Sequence, residues 1–160
     1  MSAEIIGREQ EIQQLEKLLK SDKSEFLVVY GRRRVGKTYL IYEYLKEQIV
    51  FSFSGAFEGA TALQIGNFFR EYLRYTKGQQ VTQTPENWSV AFSLLTDYLY
   101  ELNNTRKQKM VVFIDEMPWL DTPRSNFIAA LEYFWNQHGS KMRNLLLIAC
   151  GSAASWMQKQ

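Results

Sequence analysis

The string GRRRVGKT, Gly31 to Thr38, fits the pattern G-x-x-x-x-G-K-[ST] at every fixed position. Gly31 and Gly36 tolerate backbone angles that side chains resist, so successive N–H groups can converge on phosphate oxygens. A helix starting at the end of the loop adds its partial positive charge. Lys37 is placed to reach the β- and γ-phosphates of a nucleoside triphosphate, and the Thr38 hydroxyl to ligate Mg²⁺. Arg32, Arg33, Arg34 and Val35 fill the variable positions and Tyr39 follows, which completes the candidate nucleotide-contacting set. The three arginines invite a reading as an anion clamp. Variable positions of such loops often point away from phosphate, so a solvated basic patch is the alternative. The bland reading of the whole motif is a glycine turn. An apolar strand before it and an amphipathic helix after it argue against that.

The second constellation is MVVFIDE, Met110 to Glu116. Its apolar run sets Asp115 at the carboxyl end of a buried strand, where ligands of open parallel sheets bind. A lone carboxylate there is usually a turn or cap residue. Paired with the upstream loop it reads as the Mg²⁺-side aspartate, which makes Thr38 and Asp115 the candidate metal set. Glu116 can polarise an attacking water, or be a solvated surface carboxylate. Arg124 and Arg143 are candidates for a charge-stabilising arginine, though the spacing places neither at the γ-phosphate. His138 stands alone in QHGSK without metal-ligand spacing and reads as a surface residue. Cys150 ends an apolar run and reads as a small buried hydrophobe.

These groups need a scaffold, and the hydrophobic pattern supplies one. Residues 8–20 put Ile12, Leu15, Leu18 and Leu19 on one helical face. Residues 25–30 read as a buried strand, 37–48 as a helix with Leu40, Ile41, Tyr44 and Leu45 inward, and 49–54 as a second strand. A helix is expected near 61–75 and another over 88–102, with Ala91, Leu94, Leu95, Tyr98 and Leu102 at helical spacing. A third strand at 110–114, a helix at 125–137, a fourth strand at 144–149 and a helix starting near Ala153 follow. Strands alternating with helices predict an α/β fold, a mainly parallel sheet between helical layers, in a single domain. The aromatics of YEYL, FSFSGAFEG and NFFREYLRY are more often core packing than a base-stacking platform. Trp119 is expected to pack on the helix after it.

Composition narrows the field. With 160 residues the chain can bury a real core, and 46% hydrophobic residues exclude a disordered one. The formal net charge of +2 is too small to argue for nucleic acid. One cysteine permits no internal disulfide and suits a reducing cytoplasm. No apolar run is long enough to span a membrane, and the N-terminus lacks signal-peptide character.

The segments IIGREQE (Ile5 to Glu11), YGRRRVGKT, FIDEMPWL and LIACGS, in this order, resemble the additional-strand catalytic glutamate class of P-loop ATPases. More closely, the chain resembles the archaeal-type ATPase family, relatives of AAA+ and of the signal-transduction ATPases. The resemblance implies ATP and Mg²⁺ as ligands and hydrolysis by water, with Glu116 and Lys37 in catalytic roles. It places Ile6 and Arg8 near the adenine, with plain core packing as the alternative for Ile6. It also places a polar sensor, here Ser152, at the end of the fourth strand, where the hydroxyl can instead cap the next helix. Relatives of the signal-transduction type suggest an alternative, a nucleotide-dependent switch with little turnover. A GTPase is disfavoured, since the nearest string to N/T-K-x-D is TKGQ. A small-molecule kinase lacks an evident second phosphate clamp. The family's sheet order is 5-1-4-3-2, so the fifth strand, the lid and any region declaring a protein or nucleic-acid partner are expected beyond Gln160. The strand at 25–30 would then keep an unpaired edge, and this chain is expected to bind nucleotide weakly, turn over poorly and self-associate.

Overall fold

The computed structural model describes residues 9–31, 37–78, 81 and 83–152. Strands and helices alternate through them. Helix α1 (Glu9–Lys20) leads to β1 (Glu25–Gly31), α2 (Lys37–Leu45) to β2 (Ile49–Ser54), and α3 (Thr61–Thr76) with α4 (Trp88–Asn103) to β3 (Met110–Asp115). A short 3₁₀ turn (Met117–Leu120) precedes α5 (Phe127–Gln137), a second (Gly139–Lys141) follows it, and β4 (Leu145–Ser152) comes last. The four strands form one parallel sheet in the order β1-β4-β3-β2. That is the neighbour order the family resemblance implies for its first four strands.

The sheet is covered on both faces, which explains why its inner strands are continuously apolar rather than alternating. Met110–Ile114 and Leu145–Cys150 are all buried. Alternate residues sort to the two sides. Val111, Phe113, Leu146, Ile148 and Cys150 pack with Leu15 of α1 and with Ile41 and Leu45 of α2. Val112, Ile114, Leu145, Leu147 and Ala149 pack under α3, α4 and α5 in the larger cluster. That second side is aromatic. Phe53, Phe68, Trp88, Phe92 and Phe127 meet at centroid distances of 5.0–6.4 Å, mostly tilted or edge-on. Each such pair contributes about 0.5–1.5 kcal/mol beyond its area. The aromatic segment is core, as its composition suggested.

Several expectations are corrected. Helix α2 ends at Leu45 and the chain turns through 46–48. Helix α5 starts at Phe127 rather than 125, because Arg124 and Asn126 both take left-handed backbone angles (φ 59°). Strand β1 gains Gly31, and β4 runs on to Ser152. In α4 the innermost residues are Trp88, Phe92, Leu95 and Leu99, while Leu94, Tyr98 and Leu102 are only half-buried. Strand β1 is not fully buried. Among the described residues it pairs with β4 alone, and Phe26 and Val28 are 38% and 49% exposed. The helix expected from Ala153 lies outside the described residues.

Candidate active site

Because all four strands run the same way, their carboxyl ends share one edge of the sheet. Gly31 at the end of β1 is registered with Ser152 at the end of β4, and Ser54 at the end of β2 with Asp115 at the end of β3. Helix α2 starts at Lys37, shortly after β1 ends, so its first turn with Lys37 and Thr38 belongs to the same edge. The sheet thus brings Gly31, Lys37, Thr38, Asp115, Glu116 and Ser152 to one end. Arg32, Arg33, Arg34, Val35, Gly36, Ile6 and Arg8 lie outside the described residues, so their contact roles stay expectations. Tyr39 is exposed on α2.

The best-defined part of this end is the turn after β3. Asp115 is half-buried, and its Oδ1 accepts the Glu116 N–H at 2.9 Å. Glu116 takes a left-handed backbone (φ 49°, ψ 43°), a conformation rare for a residue with a side chain. Its carbonyl accepts the Trp119 N–H at 3.1 Å, which starts the 3₁₀ turn. Its carboxylate is turned inward, and Oε2 is buried with no hydrogen-bond partner among the described residues. A buried carboxylate oxygen without a donor is costly and calls for an explanation. At a substrate site, a bound polar group supplies one.

Two residues that motif reading does not reveal hold this turn. Gly55 follows β2, and its N–H donates to the Asp115 carbonyl at 2.9 Å. A Cβ on Gly55 would sit 2.3 Å from the Glu116 carbonyl oxygen, so only glycine lets the two loops touch. Gln64 on α3 is fully buried. Its Oε1 accepts the Ala56 N–H at 2.9 Å, and its Nε2 donates to the carbonyls of Ala56, Gly59 and Trp119 at 2.8–3.2 Å. One amide therefore ties the β2 loop to the β3 loop. The Thr61 and Thr122 hydroxyls share a hydrogen bond nearby. A glycine closing the strand-like IVFSFS was a visible signal; nothing in the sequence marked Gln64.

A cleft of about 390 Å³ opens beside Asp115, between Ser52 and Ser54 of β2, Tyr42 of α2, and Asn67 and Arg70 of α3. Arg70 Nη1 donates to Asn67 Oδ1 at 3.4 Å. Among the described residues, Arg70 is thus the arginine sharing a cleft with Asp115. Arg143 precedes β4 and so lies toward the opposite end of the sheet, and Arg124 is an exposed turn residue. Trp119 meets Phe57, in the loop after β2, edge-on at 4.8 Å. His138 is half-buried, with Nδ1 3.0 Å from the Tyr100 hydroxyl. Among the described residues no three His, Cys, Asp or Glu side chains gather as metal ligands. One carboxylate with a hydroxyl nevertheless suits Mg²⁺, which is commonly held by one or two carboxylates together with substrate phosphates.

A parallel sheet in this order, with a nucleotide-loop sequence after β1 and paired carboxylates at the carboxyl end of β3, defines a P-loop ATPase fold. The chain belongs to the family of ATPase domains found predominantly in Archaea, whose model matches residues 5–160. It is 28% identical over 156 residues to MJECL04, an uncharacterised protein of Methanocaldococcus jannaschii, covering 95% of this chain and 30% of that protein. A 43-residue stretch, 27% of this chain, is 40% identical to MJ0423, an uncharacterised ATP-binding protein of the same organism, and covers 73% of it. The fold is similar to that of the Aeropyrum pernix ORC2 protein in its ADPNP–ADP complexes, with a TM-score of 0.63 at 17% identity over 99% of this chain and 43% of that one. The chain therefore spans less than a third of the length of MJECL04 and less than half that of ORC2. No helix among the described residues is long and apolar enough to cross a membrane.

Proposed function

We propose that this chain binds Mg-ATP and hydrolyses its β–γ phosphoanhydride, as the nucleotide-binding unit of a larger protein. The observation that carries the reading is the Glu116 carboxylate, with one buried oxygen that has no partner among the described residues, directly after Asp115 at the carboxyl end of β3. The backbone of Gly31 to Gly36 cradles the phosphates, and Lys37 offsets charge on the β- and γ-phosphates. Tyr39 borders the loop, and Ile6 and Arg8 lie toward the base. Thr38 and Asp115 would hold Mg²⁺, which supplies charge neutralisation across the phosphates when bound. Glu116 accepts a proton from the attacking water, the new P–O bond forms in line, and the β–γ bridging oxygen leaves on ADP. Ser152 hydrogen-bonds the γ-phosphate or the water.

Two variants test it. Glu116→Gln keeps size and hydrogen bonding but loses the base. Phosphate release should fall by about 10²–10⁴-fold while Mg-ATP still raises the melting temperature. Lys37→Ala should remove most of that rise, since stabilisation follows the affinity of the folded state. Turnover of Glu116→Gln equal to the parent chain would remove Glu116 from the chemistry. A parent chain that gains thermal stability with Mg-ATP yet releases almost no phosphate, alone or with partners, would instead mark a nucleotide switch.

A further inference from the structure

A second cavity, of about 490 Å³, lies between α4 and α5 and shares no lining residue with the cleft beside Asp115. Its walls include Ser93, Asp97 and Tyr100 of α4, Tyr133 of α5, and His138 just after it. The rings form a fixed group. His138 meets Tyr100 edge-on at 5.6 Å and Tyr133 at 6.1 Å, and the Tyr100 hydroxyl bonds His138 Nδ1. Tyr133 is nonetheless 64% exposed and Tyr100 41% exposed, so both keep ring surface open to a ligand.

Asp97 is the carboxylate among the side chains that line the cleft. Helices α4 and α5 carry Asp97, Glu101 and Glu132 and no lysine or arginine, in a chain whose net charge is positive. None of the three makes an ion pair among the described residues. Exposed aromatic faces beside the Asp97 carboxylate and the serine and tyrosine hydroxyls complement a cation that is flat and weakly hydrated. Guanidinium fits that description. It stacks on aromatic rings and takes a carboxylate in a bidentate fork, whereas an ammonium holds its water more tightly.

We propose that the α4–α5 cleft docks an arginine side chain presented by a partner protein segment, with the guanidinium against Tyr133 and Tyr100 and paired to Asp97. The inference does not rest on the nucleotide reading. Its position still matters for that reading, because α4 runs into β3 and α5 follows the Glu116 turn. An occupant would touch the two helices that lie before and after Asp115 and Glu116 in the chain.

The test uses the full chain with isotope-labelled tyrosine and histidine rings. Two capped peptides, Gly-Gly-Arg-Gly-Gly and the same sequence with Gln in place of Arg, are titrated and followed by NMR. The arginine peptide should give saturable shifts at Tyr100, Tyr133 and His138, with a dissociation constant on the order of millimolar. The glutamine peptide should bind at least about fivefold more weakly, as loss of a cation–π contact requires. Asp97→Asn and Tyr133→Ser, both at exposed positions, should each weaken the arginine peptide by at least about threefold. Equal shifts from both peptides, shifts scattered over surface carboxylates without saturation, or full binding by both variants would overturn the proposal.

Discussion

Glu116 holds its left-handed backbone because Gly55 leaves room for its carbonyl oxygen. Gly55→Ala should force the β2 and β3 loops apart, at a cost of about 1–3 kcal/mol in unfolding free energy. Phosphate release should fall further than the stability loss alone explains, because the carboxylate moves with the turn. Gly66→Ala is the control. A Cβ there meets nothing within 4 Å, and the residue sits inside α3, so that change should stabilise by about 0.5–1 kcal/mol. Denaturant titration with a turnover assay on both variants checks the pair. At this scale the sequence was informative where chemistry is written in local spacing, as in Gly31 to Thr38 and Asp115 with Glu116. The need for glycine at 55 depends on an atom 61 residues further along the chain, and no local pattern encodes such an approach.

The helix α3 positions the site although it contributes no motif. Gln64→Leu would keep much of the volume but remove the side-chain partner of the Ala56 N–H and of the Gly59 and Trp119 carbonyls, while the Ala56 carbonyl keeps the Gly59 N–H. A loss of about 2–3 kcal/mol is expected from unsatisfied buried groups, and Gln64→Glu should lose at least as much, because it keeps the acceptor but sets a buried carboxylate oxygen against the same carbonyls. Equilibrium unfolding of the two variants measures it, and equal stability of Gln64→Leu and the parent would show that the loops are held elsewhere. The alternation of strands and helices was legible because short, β-rich apolar runs stand between longer segments of period-3.6 hydrophobicity. The ends were not. Arg124 and Asn126 adopt left-handed angles that no glycine announced, and Pro118 gave a break in the pattern without revealing the 3₁₀ turn around it.

For the molecule as a whole, pH dependence at the alkaline end follows from three tyrosines. Burial raises the pKa of Tyr98, with Tyr75 nearby adding to it, and the Tyr98 hydroxyl donates to the Val50 carbonyl at 2.9 Å. Burial also raises Tyr72, reinforced by Asp97 and Glu101, and Tyr44, reinforced by Glu16. A raised tyrosine contributes stability that is present below its ordinary value of about 10 and is lost as pH climbs through the folded value. Lys109 acts in the opposite sense. Its Nζ is held by the Ser21 and Lys23 carbonyls, and burial lowers its pKa, so its contribution grows as pH rises toward the ordinary lysine value. Three tyrosines against one lysine predict a falling melting temperature from about pH 9 to about pH 12. Tyr98→Phe should flatten that fall while lowering stability near neutrality by about 1 kcal/mol. A slope unchanged in Tyr98→Phe would show that this phenol stays protonated or carries no penalty. Strand order was the least legible feature at this scale, since no residue pattern says which strand pairs with which; it came through family resemblance.

The pairing of β1 with β4 also governs how the chain must come to be folded. Glu25 sits opposite Leu146 and Gly31 opposite Ser152, contacts 121 residues apart. A ribosome adding about 5–20 residues per second exposes β1 for roughly 6–24 seconds before its partner exists. During that interval Phe26, Val28 and the rest of the apolar strand have no native neighbour in the sheet, and parallel pairing over such a separation is intrinsically slow once it can begin. The strand that leads into the nucleotide loop is therefore synthesised well before the strand it must pair with.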